Sequence, residues 1–196
     1  MNTRRDNDDG EVIRTFICTE IPQSIKVRIG ELQNELRKTG TSVSWTRPSN
    51  IHLTLKFLGA VPASRIERVS KAVERAASGI SPFEIEVVGT GCFPSARNPR
   101  VLWVGLTNVP DTMNELYSNI ESELEREGFP REKRKFSPHL TIGRVRTPGT
   151  GASVAEQLIA RGFEPERFTA TEVIVMRSDL KPTGSIYTAQ AVIRLE

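Results

Sequence analysis

At 196 residues, with 37% hydrophobic and 26% charged residues, the chain has the make-up of a globular domain rather than of a disordered or fibrous polypeptide. No run approaches the roughly 18 apolar residues of a membrane helix, so no membrane association is expected. The net charge of +3 leans mildly toward anionic partners, and Cys18 and Cys92, without metal-ligand or redox spacing, read as buried thiols of a cytoplasmic protein.

Residues 1–11 are polar and charged and lack the apolar middle of a signal peptide, so they read as a disordered tail. That leaves 12–196 as a single domain. Residues 12–18 are rich in β-branched side chains and predict a strand. Pro22 opens a helix with Ile25, Ile29, Leu32 and Leu36 at helical spacing, stopped at Gly40. A strand follows over about 51–58, then a helix with Ile66, Val69, Val73 and Ala76 on one face, then a strand over 83–88.

The second half repeats the order. Residues 101–106 predict a strand, and Pro110 opens a helix with Met113, Leu116, Ile120 and Leu124 on one face, closed by Gly128. A strand after Pro138, a short helix with Val154, Leu158 and Ile159, and strands near 167–176 and 185–195 complete the chain. No glycine-rich turn follows the first strand, so a doubly wound parallel sheet fits poorly. An α+β arrangement fits the duplication better, with two antiparallel sheets facing across a cleft.

The repeat carries a motif. The chain has two histidines, and both begin the same pattern: His52-Leu53-Thr54-Leu55 and His139-Leu140-Thr141-Ile142. At ordinary residue frequencies this is roughly a one-in-a-million coincidence. Strand alternation puts His52, Thr54 and Lys56 on one face and Ile51, Leu53, Leu55 and Phe57 on the other, with His139 and Thr141 likewise paired. By the same rule Arg144 falls on the buried side, reaching the cleft only if the strand twists or ends near Gly143.

Two imidazoles in one cleft can supply an acid and a base near neutral pH. Two threonine hydroxyls can hold phosphate oxygens, and Lys56 or Arg144 can add positive charge. A phosphate diester suits such a site. Neither cysteine nor any acidic residue has metal-ligand spacing to a histidine, so no metal is expected. The run Arg131, Lys133, Arg134, Lys135 before the second motif, with Arg144 and Arg146 after it, reads either as a solvated loop or as an anion-binding rim.

With these motifs the chain resembles the two-histidine (2H) phosphoesterases, and within them the LigT-type group. Further matching segments are Arg14-Thr15-Phe16-Ile17, the stretch from Asn50 to Gly59, Phe93-Pro94, the stretch from Pro99 to Gly105, Phe136 to Arg144, and Ser178-Asp179-Leu180 with Gly184 and Tyr187. The resemblance implies a bilobal α+β fold: two pseudo-symmetric lobes, antiparallel sheets around a central cleft, and helices outside. It implies hydrolysis of RNA 2′,3′-cyclic phosphate ends to 2′-phosphate by a monomer, without cofactor or metal. His52 would be the proton donor, His139 the acceptor, and Thr54, Thr141, Lys56 and Arg144 would bind substrate; from the residues alone either histidine can take either role. Two other readings stay open: ATP-independent 2′-5′ ligation of tRNA halves, and a non-catalytic module that binds RNA ends, tRNA fragments among them.

Overall fold

The computed structural model describes residues 10–182 and 184–196. The expected tail over 1–11 therefore lies outside the described residues except at its end, where the Glu11 carboxylate pairs with Arg177 at 2.7 Å. Each predicted element is present: β1 (Val12–Thr19), α1 (Gln23–Arg37), β3 (Leu53–Pro62), α2 (Ile66–Ala77), β4 (Phe83–Phe93), β5 (Val101–Thr107), α3 (Asp111–Arg126), β6 (His139–Val145) and α4 (Ala152–Arg161). The apolar faces read from the spacing are the buried ones, except that Ile66 at the start of α2 is half-buried and Ile159 of α4 is 49% exposed.

Two features were not anticipated. A short strand, β2 (Val43–Trp45), follows α1. The single strand expected over 167–176 is instead two, β7 (Glu166–Ala170) and β8 (Glu172–Lys181), broken at Thr171 and belonging to different sheets. The last strand is β9 (Gly184–Arg194).

All described pairings are antiparallel. One sheet runs β3-β1-β8-β9 and the other β2-β6-β5-β4-β7. Setting β2 aside, β3, β1, β8 and β9 match β6, β5, β4 and β7 in order. The halves of the sequence are thus not the lobes: β4, from the first half, completes the second lobe, and β8, from the second half, completes the first. The helices cross over too. α1 packs on the β6 sheet, its Gln33 side chain donating to the carbonyls of Thr46 and Ile142, while α3 packs on α2 and β3. One contiguous apolar core joins residues of both sheets, which ties the lobes together by burial. No helix among the described residues is long and apolar enough to cross a membrane.

Candidate active site

The two motif strands depart from regular pairing at equivalent places. Thr54 lies opposite Cys18 and Lys56 opposite Ile17, so Leu55 is an extra, bulged residue. Thr141 lies opposite Trp103 and Gly143 opposite Leu102, so Ile142 is bulged in the same way. The fourth residue of each tetrapeptide is therefore a β-bulge, buried as an aliphatic anchor (Leu55 4% and Ile142 0% exposed). A bulge resets alternation. It carries Arg144 out of the buried side on which strict alternation places it, and its side chain is exposed at the cleft.

The bulge at Leu55 corrects two expectations about the first motif. Lys56 is turned away from the Thr54 face and buried, its ammonium donating to Glu121 Oε1 at 2.6 Å and to the Pro130 carbonyl at 2.9 Å. It still borders the cleft, but its charge is spent on Glu121 rather than offered to a ligand. Phe57, which alternation sets on the same face as Leu53 and Leu55, is 59% exposed and stands where Arg144 stands in the other lobe.

The imidazoles are held by one device used twice. His52 Nδ1 lies 2.8 Å from the carbonyl of Asn50, and His139 Nδ1 lies 2.8 Å from the carbonyl of Ser137. A carbonyl can only accept, so each Nδ1 carries the proton and each Nε2 is left for chemistry. Among the described residues neither Nε2 has a hydrogen-bond partner. Burial holds both imidazoles below the ordinary histidine pKa, and the two peptide carbonyls oppose this. The charges differ: Glu20 favours the protonated form of His52 and Lys26 disfavours it, whereas Arg144 disfavours it at His139.

Both histidines, Thr54, Thr141 and Arg144 line one cavity of about 870 Å³, within the size range of small-ligand sites. Its walls include Tyr117 and Glu121, which the sequence did not single out, and Asn50, noted only as the start of a matching segment. Tyr187, noted only as part of the resemblance, sets its ring edge-on to His52 at 5.3 Å. Glu121 had a signal in the sequence, an acid on the apolar stripe of α3 between Ile120 and Leu124. Arg134 and Lys135 also line the cavity, and among the described residues neither they nor Arg144 is paired with a carboxylate. No group of three or more His, Cys, Asp or Glu residues placed to hold a metal ion occurs among the described residues.

Comparison with known proteins places this architecture. Residues 20–103 and 104–187 each match the family model for LigT like phosphoesterases, so the same model describes both halves of the duplication. An RNA 2′,3′-cyclic phosphodiesterase of Methanothermobacter thermautotrophicus is 34% identical over 184 residues, covering 93% of this chain and 99% of that protein. One of Thermotoga maritima is 35% identical over 176 residues, covering 89% and 91%. Among solved structures, TT0787 of Thermus thermophilus has a TM-score of 0.77 at 24% identity, over 93% of this chain and 98% of that one. E. coli LigT complexed with 3′-AMP has a TM-score of 0.76 at 22% identity, over 94% and 99%. These two structures share the fold.

Proposed function

The chain belongs to the LigT-like phosphoesterase family, and from that premise we propose that it hydrolyses RNA 2′,3′-cyclic phosphate ends to 2′-phosphates by two-histidine acid–base catalysis, without a metal. One observation carries this reading: two imidazoles of the same tautomer line a single cavity, each beside a threonine and each with an Nε2 that has no hydrogen-bond partner among the described residues. The activity for which both relatives are named supports the substrate class.

In this mechanism the cyclic phosphate sits between the motif strands, with Thr54 and Thr141 donating hydrogen bonds to its nonbridging oxygens. The exposed guanidinium of Arg144 stabilises the charge that builds on phosphorus. Neutral His139 takes a proton from the attacking water through Nε2, and the new P–O bond forms. Protonated His52 gives its Nε2 proton to the ribose 3′-oxygen as the P–O3′ bond breaks, leaving a 3′-hydroxyl and a 2′-phosphate. Arg144 disfavours the protonated form of His139, which suits a base there, whereas Glu20 and Lys26 act in opposite directions at His52, so the acid role of His52 rests on its match to the family pattern. Before the next turnover a proton passes back from His139 to His52 through solvent.

Arg134 and Lys135 on the cavity rim suit the phosphates of the preceding nucleotides. The cavity is complete within one chain, which supports a monomer as the working unit. Free thiols at Cys18 and Cys92 support a reducing, cytoplasmic setting.

The test is incubation with an oligonucleotide ending in a 2′,3′-cyclic phosphate, with and without a chelator, reading the position of the product phosphate. A 2′-phosphate formed at equal rates in both supports the reading. A 3′-phosphate, or activity abolished by the chelator, overturns it. Tight binding with no product at enzyme excess would mark an RNA-end binder instead.

A further inference from the structure

The two histidine-holding carbonyls hang from very different backbone. Asn50 closes a 3-10 turn (Pro48–Asn50) in which its N–H bonds to the Arg47 carbonyl at 2.8 Å, and its side chain donates to the Ser185 carbonyl at 2.7 Å. That support is hydrogen-bonded at both ends, one bond within the turn and one to β9. Ser137, its counterpart, ends an irregular stretch between Arg126 of α3 and His139 of β6. Residues 131–135 of that stretch are exposed and four of them are cationic. Left alone, such a loop is mobile, and the carbonyl that orients His139 would move with it.

Something outside the loop holds it. The ammonium of Lys56 donates to the Pro130 carbonyl at 2.9 Å and to Glu121 Oε1 at 2.6 Å, while Glu121 Oε2 accepts the Glu132 N–H at 2.8 Å. Both side chains are nearly sealed from solvent, 5% and 4% exposed. The same face of α3 makes two more anchors: Ser122 and Glu125 hold the Arg131 guanidinium at 2.7 and 2.8 Å, and the Tyr117 ring stacks on Phe136 at 4.0 Å and 13°. Lys56 lies four residues after His52, on the other motif strand. Its counterpart in the duplication is Gly143, so this link exists on one side of the molecule only.

We propose that the buried Lys56–Glu121 pair, formed where α3 packs on β3, is a strut for the loop that leads to the other lobe: it ties the His52 strand to the 130–137 loop and so fixes the Ser137 carbonyl that orients His139. Both are positioning residues and neither touches the phosphate. The pair is a poor device for stability alone, since burying two charges costs desolvation that an apolar pair of similar volume avoids. Its value lies in the two backbone groups it holds, Pro130 O and Glu132 N, which no apolar pair can grip.

Two variants test this, and the presence of only two histidines makes the readout clean. Lys56→Met with Glu121→Leu removes the strut while keeping the site packed. It should fold with thermal stability at or above that of the parent. Its His139 should lose the Nδ1–H signature in ¹⁵N NMR while His52 keeps it, and trypsin should cleave sooner in 131–135. Turnover should fall roughly ten- to a hundred-fold, in kcat more than KM, as expected for a misplaced base. Exchanging the charges, Lys56→Glu with Glu121→Lys, keeps an ion pair but cannot donate from position 56 to Pro130 O or accept at position 121 from Glu132 N–H, so it should not restore the parent signals. Parent-like His139 resonances and protease resistance in either variant overturn the strut. The proposal rests on the acid–base reading of the histidines, but the NMR and proteolysis readouts do not. A parent protein inactive on cyclic phosphates would sink that reading and still leave the strut to be decided.

Discussion

Around His52 the walls are aromatic carbon. Phe16 stacks on the imidazole at 4.6 Å and 22°, Tyr187 meets it edge-on, and Phe57 stands exposed two residues beyond the bulge. Around His139 the contacts are looser, with Phe93 edge-on at 5.1 Å and Trp103 tilted at 6.4 Å, and the second position beyond the bulge holds the Arg144 guanidinium. Backbone geometry is shared: the same bulge, the same 2.8 Å grip on Nδ1, the same threonine two residues on. The difference teaches that one backbone frame, used twice, can set two imidazoles in unlike surroundings, which is what the proposed division into acid and base requires.

The largest test of that comparison removes the rings. His52→Ala and His139→Ala should each lower kcat/KM by roughly 10²- to 10⁴-fold, the range of a positioned acid or base. The profile of kcat/KM against pH should be bell-shaped for the parent. His139→Ala should abolish the limb that rises from low pH, and His52→Ala the limb that falls at high pH. Loss of the same limb in both variants would mean that the two roles are not divided as the surroundings imply.

Next come the residues that differ at one shared position. Arg144→Ala should cost about 10- to 150-fold, the worth of a hydrogen bond to a charged group. It also removes the positive charge that disfavours protonation of His139, so that pKa rises and the rising limb moves to higher pH. Phe57→Ala carries no charge change and should move neither limb. With its ring exposed it should leave stability nearly unchanged, and a role in stacking on a base would raise KM about 5- to 150-fold on an oligonucleotide. A shifted limb in Phe57→Ala would undo the division between an aromatic and a cationic half.

The threonines test what the halves have in common. Thr54→Val and Thr141→Val should each lower kcat/KM about ten-fold, a hydrogen bond's worth, and by similar amounts because each stands just before a bulge on equivalent strands. Losses that differ by more than ten-fold would show that the symmetry of the backbone does not extend to the phosphate.

These comparisons also mark where sequence reading stops. The tetrapeptides, the repeat and the helix faces are local patterns, so His52, His139, Thr54 and Thr141 could be placed at one cleft before any coordinates. The bulges at Leu55 and Ile142 could not, because an aliphatic residue in a bulge looks like one in a regular strand. One extra residue is enough to reverse the expected faces of Lys56, Phe57 and Arg144. Nor could the partner of Lys56 be read, since Glu121 lies 65 residues away and meets it only because α3 crosses to the other lobe's sheet. The break at Thr171 hid for the same reason: two strands in succession join different sheets, and periodicity says nothing about which neighbour a strand will find.

The smallest expected effect concerns folding rather than turnover. Both imidazoles sit below the ordinary histidine pKa because burial disfavours their charged forms. Between the lowered folded values and the ordinary unfolded value near 6.5, the unfolded chain binds more protons than the folded one, so stability rises with pH across that window. The contribution is complete above the unfolded pKa and is lost as pH falls through it, until the folded pKa is passed and no further loss follows. His52→Gln with His139→Gln removes both titrations. Urea midpoints measured from pH 7.5 down to pH 5 should fall less steeply for this double variant than for the parent. Since His52 is walled by carbon on two sides, the single His52→Gln change should flatten the curve more than His139→Gln, and the reverse order would contradict the environments assigned to the two halves.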